Sequence, residues 1–285
     1  PYLSFRAGLM LVPMGITNLF HEPTTFFGVE RPNLDSKIAP TTWREIGAGF
    51  AGYIPGVSMK YELYLMNGFN GYNGSGKFRG VDGFRKGRQK GAESFMSSPT
   101  FAGRISYYGL PGLNIGYSSY KGQSQTSLFD GLDKNDSQAI AMADSSRVGI
   151  NMHGLDLRYK AHGIYSKAQM YTVKITNTDQ YNSFTESDLG RRMFGYYIEL
   201  GYDVLSFTKS TQKLIPFIRY EKYNTHAATE GDLAINPAFN RNEITTGINY
   251  YLSDKAVLKA DLQLFGSEDK LTYSKMLNFG VGVWF

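Results

Sequence analysis

The sequence predicts an all-β protein: a transmembrane antiparallel β-barrel of the outer-membrane kind, one domain over residues 1–285, with twelve strands visible in the chain. Three observations carry this. Apolar and polar side chains alternate at period two in segment after segment, as a wall with one oily and one wet face requires. The connections between those segments alternate long and short. The chain is also rich in Tyr (21), Phe (19) and Gly (32), with no stretch near 18 consecutive apolar residues, so aromatic girdles and strands fit where a membrane-crossing helix does not.

The alternating segments are 2–13, 43–54, 57–67, 100–108, 113–120, 146–160, 164–174, 192–203, 213–223, 242–252, 256–265 and 274–285. Most have about 10 residues, the span a tilted strand needs to cross hydrocarbon. In the third, Val57, Met59, Tyr61, Leu63 and Leu65 form one face and Ser58, Lys60, Glu62, Tyr64 and Met66 the other. In the eleventh, Leu258, Ala260, Leu262 and Leu264 oppose Lys259, Asp261 and Gln263. A Lys or Arg facing lipid at mid-depth costs about 2–4 kcal/mol, which fixes the apolar set outward. The sixth segment breaks phase: Val148, Ile150 and Met152 are even, Leu155, Leu157 and Tyr159 odd. That break predicts a β-bulge at His153–Gly154, with His153 touching water or lumen. The last segment, "MLNFGVGVWF", puts Leu277, Phe279, Val281, Val283 and Phe285 on one face.

Odd-numbered strands are followed by long polar connections: 14–42, 68–99, 121–145, 175–191, 224–241 and 266–273. Even-numbered ones are followed by "PG", "GLPG", "AHG", "DVLSFTKSTQK" and "SDK". Short periplasmic turns and longer external loops follow this order, and an even strand count places Phe285 at the periplasmic rim. An aromatic C-terminal strand is what the barrel-insertion machinery reads, so that machinery is an expected partner. The opening "PYLSFRAGLM" already has strand character and lacks an initiator Met and a leader pattern, so the expectation is that residues precede it. The absence of cysteine removes disulfide and thiol chemistry and suits passage through an oxidising periplasm.

Catalytic signals are weak. "GAGFAG" at 47–52 matches a dinucleotide fingerprint, yet a Pro-Gly turn rather than a helix follows it. His21, His153, His162 and His226 have no metal-ligand spacing, and "HEPTTF" lacks the second histidine of a zinc motif. A barrel phospholipase needs an outward Ser–His pair, and none is read here. The expectation is no enzyme, no metal and no cofactor.

Charge supplies the remaining signal. At inward positions the cations are Arg6, Lys60, Arg104, Arg147, Arg158, Lys160, Lys167, Arg219 and Lys259, against Glu45, Glu62, Asp156, Glu199, Glu221 and Asp261. Lys60–Glu62, Arg219–Glu221 and Lys259–Asp261 are expected pairs, so the wall can be read as a structural ladder or as a modestly anion-preferring lining. Loop 76–94 carries Lys77, Arg79, Arg85, Lys86, Arg88 and Lys90 against Asp82 and Glu93. It can grip lipopolysaccharide phosphates outside or fold in as an anion funnel. Segment 14–42, stiffened by Pro23, Pro32 and Pro40 and carrying His21, Glu22, Glu30, Arg31, Asp35 and Lys37, can pack externally or enter the lumen as a constriction, the latter being preferred.

The stretches "RAGLMLVPMGITNLFHEPTTFFGVERPNLDSKIAPTTWREIGAGFAG" (6–52), "GRQKG" (87–91), "IRYEKYN" (218–224), "GINYYLSDKAVLKADLQLF" (247–265) and the final "GVGVWF" resemble the phosphate-selective porin O and P superfamily, and more closely its relatives in Bacteroidetes-like Gram-negative bacteria. The resemblance implies a passive channel lined by Arg and Lys, and a barrel of about sixteen strands with further N-terminal strands. No arginine ladder maps residue by residue. The expected function is thus a bacterial outer-membrane porin passing small hydrophilic solutes with a weak preference for anions such as phosphate. It would sit among outer-membrane lipid and lipopolysaccharide, as a homotrimer or part of a larger complex. The rival is a non-conducting barrel subunit or scaffold of an outer-membrane assembly.

Overall fold

The structure, a computed structural model, describes residues 2–20, 22–91 and 93–284. The reading of Phe285 at a rim therefore lies outside the described residues. Twelve strands form one antiparallel sheet: β1 (Ser4–Leu11), β2 (Arg44–Ile54), β3 (Met59–Met66), β5 (Thr100–Tyr107), β6 (Leu113–Gln123), β8 (Gly149–Ala161), β9 (Ile164–Thr176), β10 (Arg192–Tyr202), β11 (Lys213–Ala228), β12 (Asn240–Ser253), β13 (Ala256–Ser267) and β14 (Ser274–Val283). Two short loop strands, β4 (Asn70–Tyr72) and β7 (Gln125–Thr126), pair in parallel apart from it. Each wall strand hydrogen-bonds its sequence neighbours, and β1 and β14 are the two edges. All twelve predicted strands are present. Among the described residues no helix is long and apolar enough to cross a membrane; the longest there, α3 (Ser137–Ser145), has nine residues, and the others are α1 (Ile16–Leu19), α2 (Leu34–Lys37) and α4 (Thr178–Thr185).

Alternation sorts the wall as read. Leu63, Leu262 and Phe279 are exposed on the outer face, whereas Glu62, Lys259 and Asp261 are buried on the inner one. Val57 and Ser58 are the exceptions: they belong to the 3-10 turn that precedes β3, where Ser58 takes a left-handed conformation. Gly8 on β1 has φ +121, a backbone only glycine adopts easily, and nothing lies within 4 Å of where its Cβ would be. The inner wall there faces open space.

The bulge expected at His153–Gly154 does not exist. β8 pairs without interruption with β6 (Tyr120↔Met152, Ser119↔His153, Ser118↔Gly154) and with β9 (Met152↔Val173, His153↔Thr172, Gly154↔Tyr171). The backbone keeps its phase and the polarity of the surroundings inverts. Along the turn-side half of β8, Leu155 and Leu157 face outward. Along the loop-side half, the inner Ile150 and Met152 join a buried core with Val173, Ile175 and Met193, leaving Asn151 and His153 outside. A strand rising out of hydrocarbon meets water on its outer face and packed loops on its inner one, so the same pleat demands the opposite pattern.

That core sits inside the curled sheet, at the loop end. Trp43 stacks on Phe69 (4.0 Å between centroids) and Phe69 on Phe84 (5.2 Å). Phe78, Tyr120, Tyr181 and Leu189 complete it with Val12, Met14, Leu34 and Ile38 from segment 12–43. The long connections thus fold inward to fill this end.

Candidate functional site

Segment 12–43 enters the space enclosed by the sheet and crosses to β9–β13. It is fastened by polar contacts that any loose loop would lack. The Ile16 amide donates to Gln169 Oε1 (2.5 Å), the Leu34 amide to Glu221 Oε2 (3.2 Å) and the Val29 amide to Asp261 Oδ2 (2.5 Å). Asn33 Nδ2 donates to Glu243 Oε2 (2.8 Å), and Lys167 Nζ donates to the Thr25 carbonyl (2.6 Å). Asp35, the first-turn acid of α2, is wholly buried; it accepts from Thr17 Oγ1 (2.5 Å), Tyr171 OH (3.2 Å) and Gln169 Nε2. Burial pushes its carboxyl up to about 6, against the lowering effect of those three donors. The inward reading of this loop is the observed one. His21 lies outside the described residues.

The predicted inward cations divide by what they touch. Arg104 Nη1 and Nη2 fork onto Asp156 (2.6 and 2.8 Å), both side chains buried. Arg219 Nε meets Glu221 Oε1 (2.9 Å) and Nη1 meets Glu199 Oε2 (3.4 Å); Lys167 also reaches Glu199 (3.2 Å). Lys259 was expected to pair with Asp261. It instead donates to the carbonyls of Phe26 (2.6 Å) and Gly28 (2.9 Å), because the inserted loop presents unsatisfied backbone oxygens there while Asp261 takes the Val29 amide and Asn278 Nδ2. Lys167, Glu221, Lys259 and Asp261 are struts between wall and loop, whereas Arg104–Asp156 and Arg219–Glu199 tie wall strands to one another. Sequence reasoning overlooked the neutral partners Thr17, Asn33, Gln169 and Tyr171, whose role depends on contacts more than 100 residues apart, save Thr17–Asp35.

Two mid-wall inward cations remain open among the described residues. Arg6 and Lys60 have side chains 48% and 32% exposed, and both reach Glu62 (3.5 and 3.2 Å). They face the stretch of wall where β1 and β2 offer Gly8, Gly47 and Gly49. At the turn end, a cavity of about 510 Å³ is lined by Arg158, Lys160, Lys167 and Lys213 with Phe20, Phe27 and Tyr251. Arg158 lies 3.9 Å from the centre of the Phe20 ring, and Lys213 pairs with Asp254 (2.5 Å) at the cavity edge. Arg147 is not on this wall. It lies between α3 and β8, bound to Asp144 and 4.8 Å over Phe129, because β8 begins at Gly149, three residues later than the pattern suggested.

At the loop end, the basic segment 76–94 packs on the inserted loop. Arg88 donates to the Thr41 carbonyl and to Thr42 Oγ1 (2.9 Å), and Arg85 donates to Ser36 Oγ. Lys37 and Lys86 share Asp82 (3.6 and 2.7 Å). Burial, then the charges of Arg85 and Arg31, lowers the Arg88 pKa; burial lowers those of Arg31 and Lys37. Arg31, Lys37, Arg85 and Arg88 therefore form one cationic cluster over the inserted loop. Arg79 and Lys90 are exposed beyond it.

His153 projects outward, to water rather than to the lumen, and is register partner to Ser119. Its Nδ1 bonds Tyr117 OH (2.7 Å), and no hydrogen bond joins it to Ser119 among the described residues. An outward Ser–His neighbourhood thus exists without the contact that would activate a nucleophile. No cluster of three or more metal-ligating side chains occurs among the described residues.

Known structures resemble this wall. An anion-selective porin from Comamonas acidovorans superposes with TM-score 0.51 at 13% identity, covering 98% of this chain and 69% of that one. OmpF of Salmonella typhi, solved with daunomycin, gives TM-score 0.58 at 11% identity over 99% and 74%. The outer-membrane channel DcaP of Acinetobacter baumannii gives 0.55 at 11% over 98% and 70%. The fold is that of bacterial outer-membrane porins. No family model matches the chain. An uncharacterised protein of Aquifex aeolicus (strain VF5) is 30% identical over 273 residues, 95% of this chain; the chain spans 60% of that protein's length.

Proposed function

We propose that this porin-fold chain is a passive outer-membrane channel for small hydrophilic solutes, with a weak preference for anions, phosphate among them. The observation that carries the reading is the inserted segment 12–43 with cations on both sides of it: the Arg31, Lys37, Arg85 and Arg88 cluster at the loop end, and Arg158, Lys160 and Lys213 around the cavity at the turn end. A loop that narrows a wet passage between two positive regions concentrates anions and slows cations. Only Arg6 and Lys60 among the mid-wall cations are open, and Glu62 offsets part of their charge, so the preference is modest. The superfamily resemblance supports phosphate as one such anion, further strands completing a larger barrel, and a homotrimer as the assembly. Transport here needs no catalysis, metal or cofactor, and insertion through the barrel-assembly machinery follows from the proposed location.

A second reading has its own observation. The inner faces of β8–β13 are packed against the inserted loop, with Gln169, Arg219, Glu221 and Asn249 buried. A barrel so filled can serve as a non-conducting subunit of a larger assembly. Single-channel recording in a salt gradient separates the two. The channel reading expects discrete conductance steps and an anion-favouring reversal potential. Conductance with a cation-favouring potential ends the anion claim, and silent insertion favours the scaffold.

A further inference from the structure

The outward positions of the twelve wall strands are sorted by charge in a way neither transport nor folding requires. The cations there are Arg44, Lys121, Lys174, Arg192, Lys222 and Lys275, and no Asp or Glu occupies an outward strand position among the described residues. All six lie toward the long loops. None has an ion-pair partner among the described residues, whereas most inward cations do.

Register relates their positions along the wall. Lys121, Asn151, Lys174 and Arg192 are successive partners across β6, β8, β9 and β10. The same rung continues back to Ala48 on β2, four residues past Arg44. Forward on β11, Lys222 pairs with Tyr196, four residues past Arg192, and Lys275 lies opposite Leu264, one same-face step further. The contour therefore shifts in one direction along the strands from β2 to β14, in unequal steps with none between β6 and β10. Strands tilted by about 35–45° produce such a slide for any belt held level around the wall. Beneath it runs an aromatic belt that includes Tyr117, Phe194, Tyr196 and Tyr220, and then aliphatic side chains. Between the cations the wall is grooved. A hollow of about 420 Å³ is lined by Lys121, Asn151 and Lys174, and one of about 480 Å³ by Asn151, His153, Lys174, Arg191 and Arg192 with one carboxylate, Glu230, from the loop that follows β11.

We propose that this rim binds the phosphate groups of an outer-leaflet glycolipid headgroup, with Lys121, Lys174 and Arg192 as its strongest site. The proposal rests on the outer-membrane reading above and adds the ligand. A level ring of unpaired cations, set just above hydrocarbon, matches a layer of anions held at that depth, and each Lys or Arg near such a surface contributes about 1 kcal/mol. Lys174 borders both hollows, so one headgroup with two phosphates can bridge Lys121 to Arg192. The positive charge also fixes the loop end as the end facing that leaflet.

The test uses the whole chain purified in detergent, with bisphosphorylated lipid A as probe and native mass spectrometry and a fluorescent lipid A titration as readouts. The K121Q/K174Q/R192Q variant is expected to lose about 100-fold in affinity, three cations at about tenfold or less each, and Lys174→Arg to retain it. Lipid A stripped of phosphate is expected to bind wild type as weakly as the triple variant binds the intact lipid. Equal binding of both lipids, or unchanged binding by the triple variant, overturns the proposal. So does competition by inorganic phosphate at matched phosphate concentration, which would make the rim a free-phosphate site. Vesicle insertion is measured in parallel. A wild-type chain that fails to insert sinks the membrane reading itself, whereas normal insertion with indifferent lipid A binding sinks the rim alone.

Discussion

Lys259 on β13 donates from one Nζ to two backbone carbonyls of the inserted loop, Phe26 at 2.6 Å and Gly28 at 2.9 Å. The contact joins residues 233 and 231 positions apart, and it turns a predicted pore-lining cation into a clamp. A buried carbonyl left without a donor costs about 1–3 kcal/mol. Lys259→Met is therefore expected to loosen segment 14–42 while strand content stays unchanged. Limited proteolysis near Pro23–Phe27 and a rise in single-channel conductance are the readouts. An equally protected loop in the variant would show that the clamp is dispensable.

Arg104 and Asp156 make a two-pronged contact buried in the wall between β5 and β8. Removing one partner strands the other charge away from water, a loss of about 3–5 kcal/mol, whereas replacing both by apolar groups of similar volume is often close to neutral. Arg104→Met is expected to lower the unfolding midpoint sharply, and R104M/D156L to recover most of it. Denaturant melts of the detergent-folded chain measure both. A double variant as weak as the single would mean that the pair holds more than itself.

Asp35 ties the inserted loop to β9, and burial has raised its carboxyl to about 6 from an ordinary value of 3.8. A raised acid binds its proton more tightly in the folded chain than in the unfolded one. The folded chain thus gains proton-linked stability at low pH and loses it as pH climbs from about 4 to about 6. The shift of about two units bounds the effect at roughly 3 kcal/mol. Loop protection against protease is expected to fall across this window in the wild type and to stay level in Asp35→Asn, since Thr17 Oγ1 can rotate to accept from the amide. A sloping profile in the variant would assign the dependence to another group.

The wall was legible in the sequence because a bilayer enforces one rule at every strand: polar in, apolar out. The eleventh and third segments, with Leu262 against Lys259 and Leu63 against Lys60, needed only local alternation. The same rule misled at His153, because it ceases to hold above the hydrocarbon, where Ile150 and Met152 turn toward packed loops. Nearest same-face pairs on a strand, Arg219–Glu221 and Lys60–Glu62, were legible from spacing. Lys259–Asp261 has that spacing and still fails, because loop carbonyls from a distant segment compete for the ammonium. Arg147 shows the other limit: three residues of boundary error move a charge from wall to loop. The level outer ring was readable only once register tied the strands together.

Arg6 on β1 reaches Glu62 across β2 and Lys60 reaches it along β3, both remaining open, and the wall beside them faces open space at Gly8. Two cations against one carboxylate leave a single surplus charge at this height. Glu62→Gln is expected to raise the anion-to-cation permeability ratio, and R6Q/K60Q to lower it, each by a few-fold, since partly exposed charges act through a high effective dielectric and are screened by salt. Reversal potentials in a tenfold salt gradient give the ratio directly, and the differences should shrink as ionic strength rises. If Glu62→Gln moved the potential toward cations, or if neither variant moved it, the conducting route would run elsewhere, along the cavity bordered by Arg158 and Lys160.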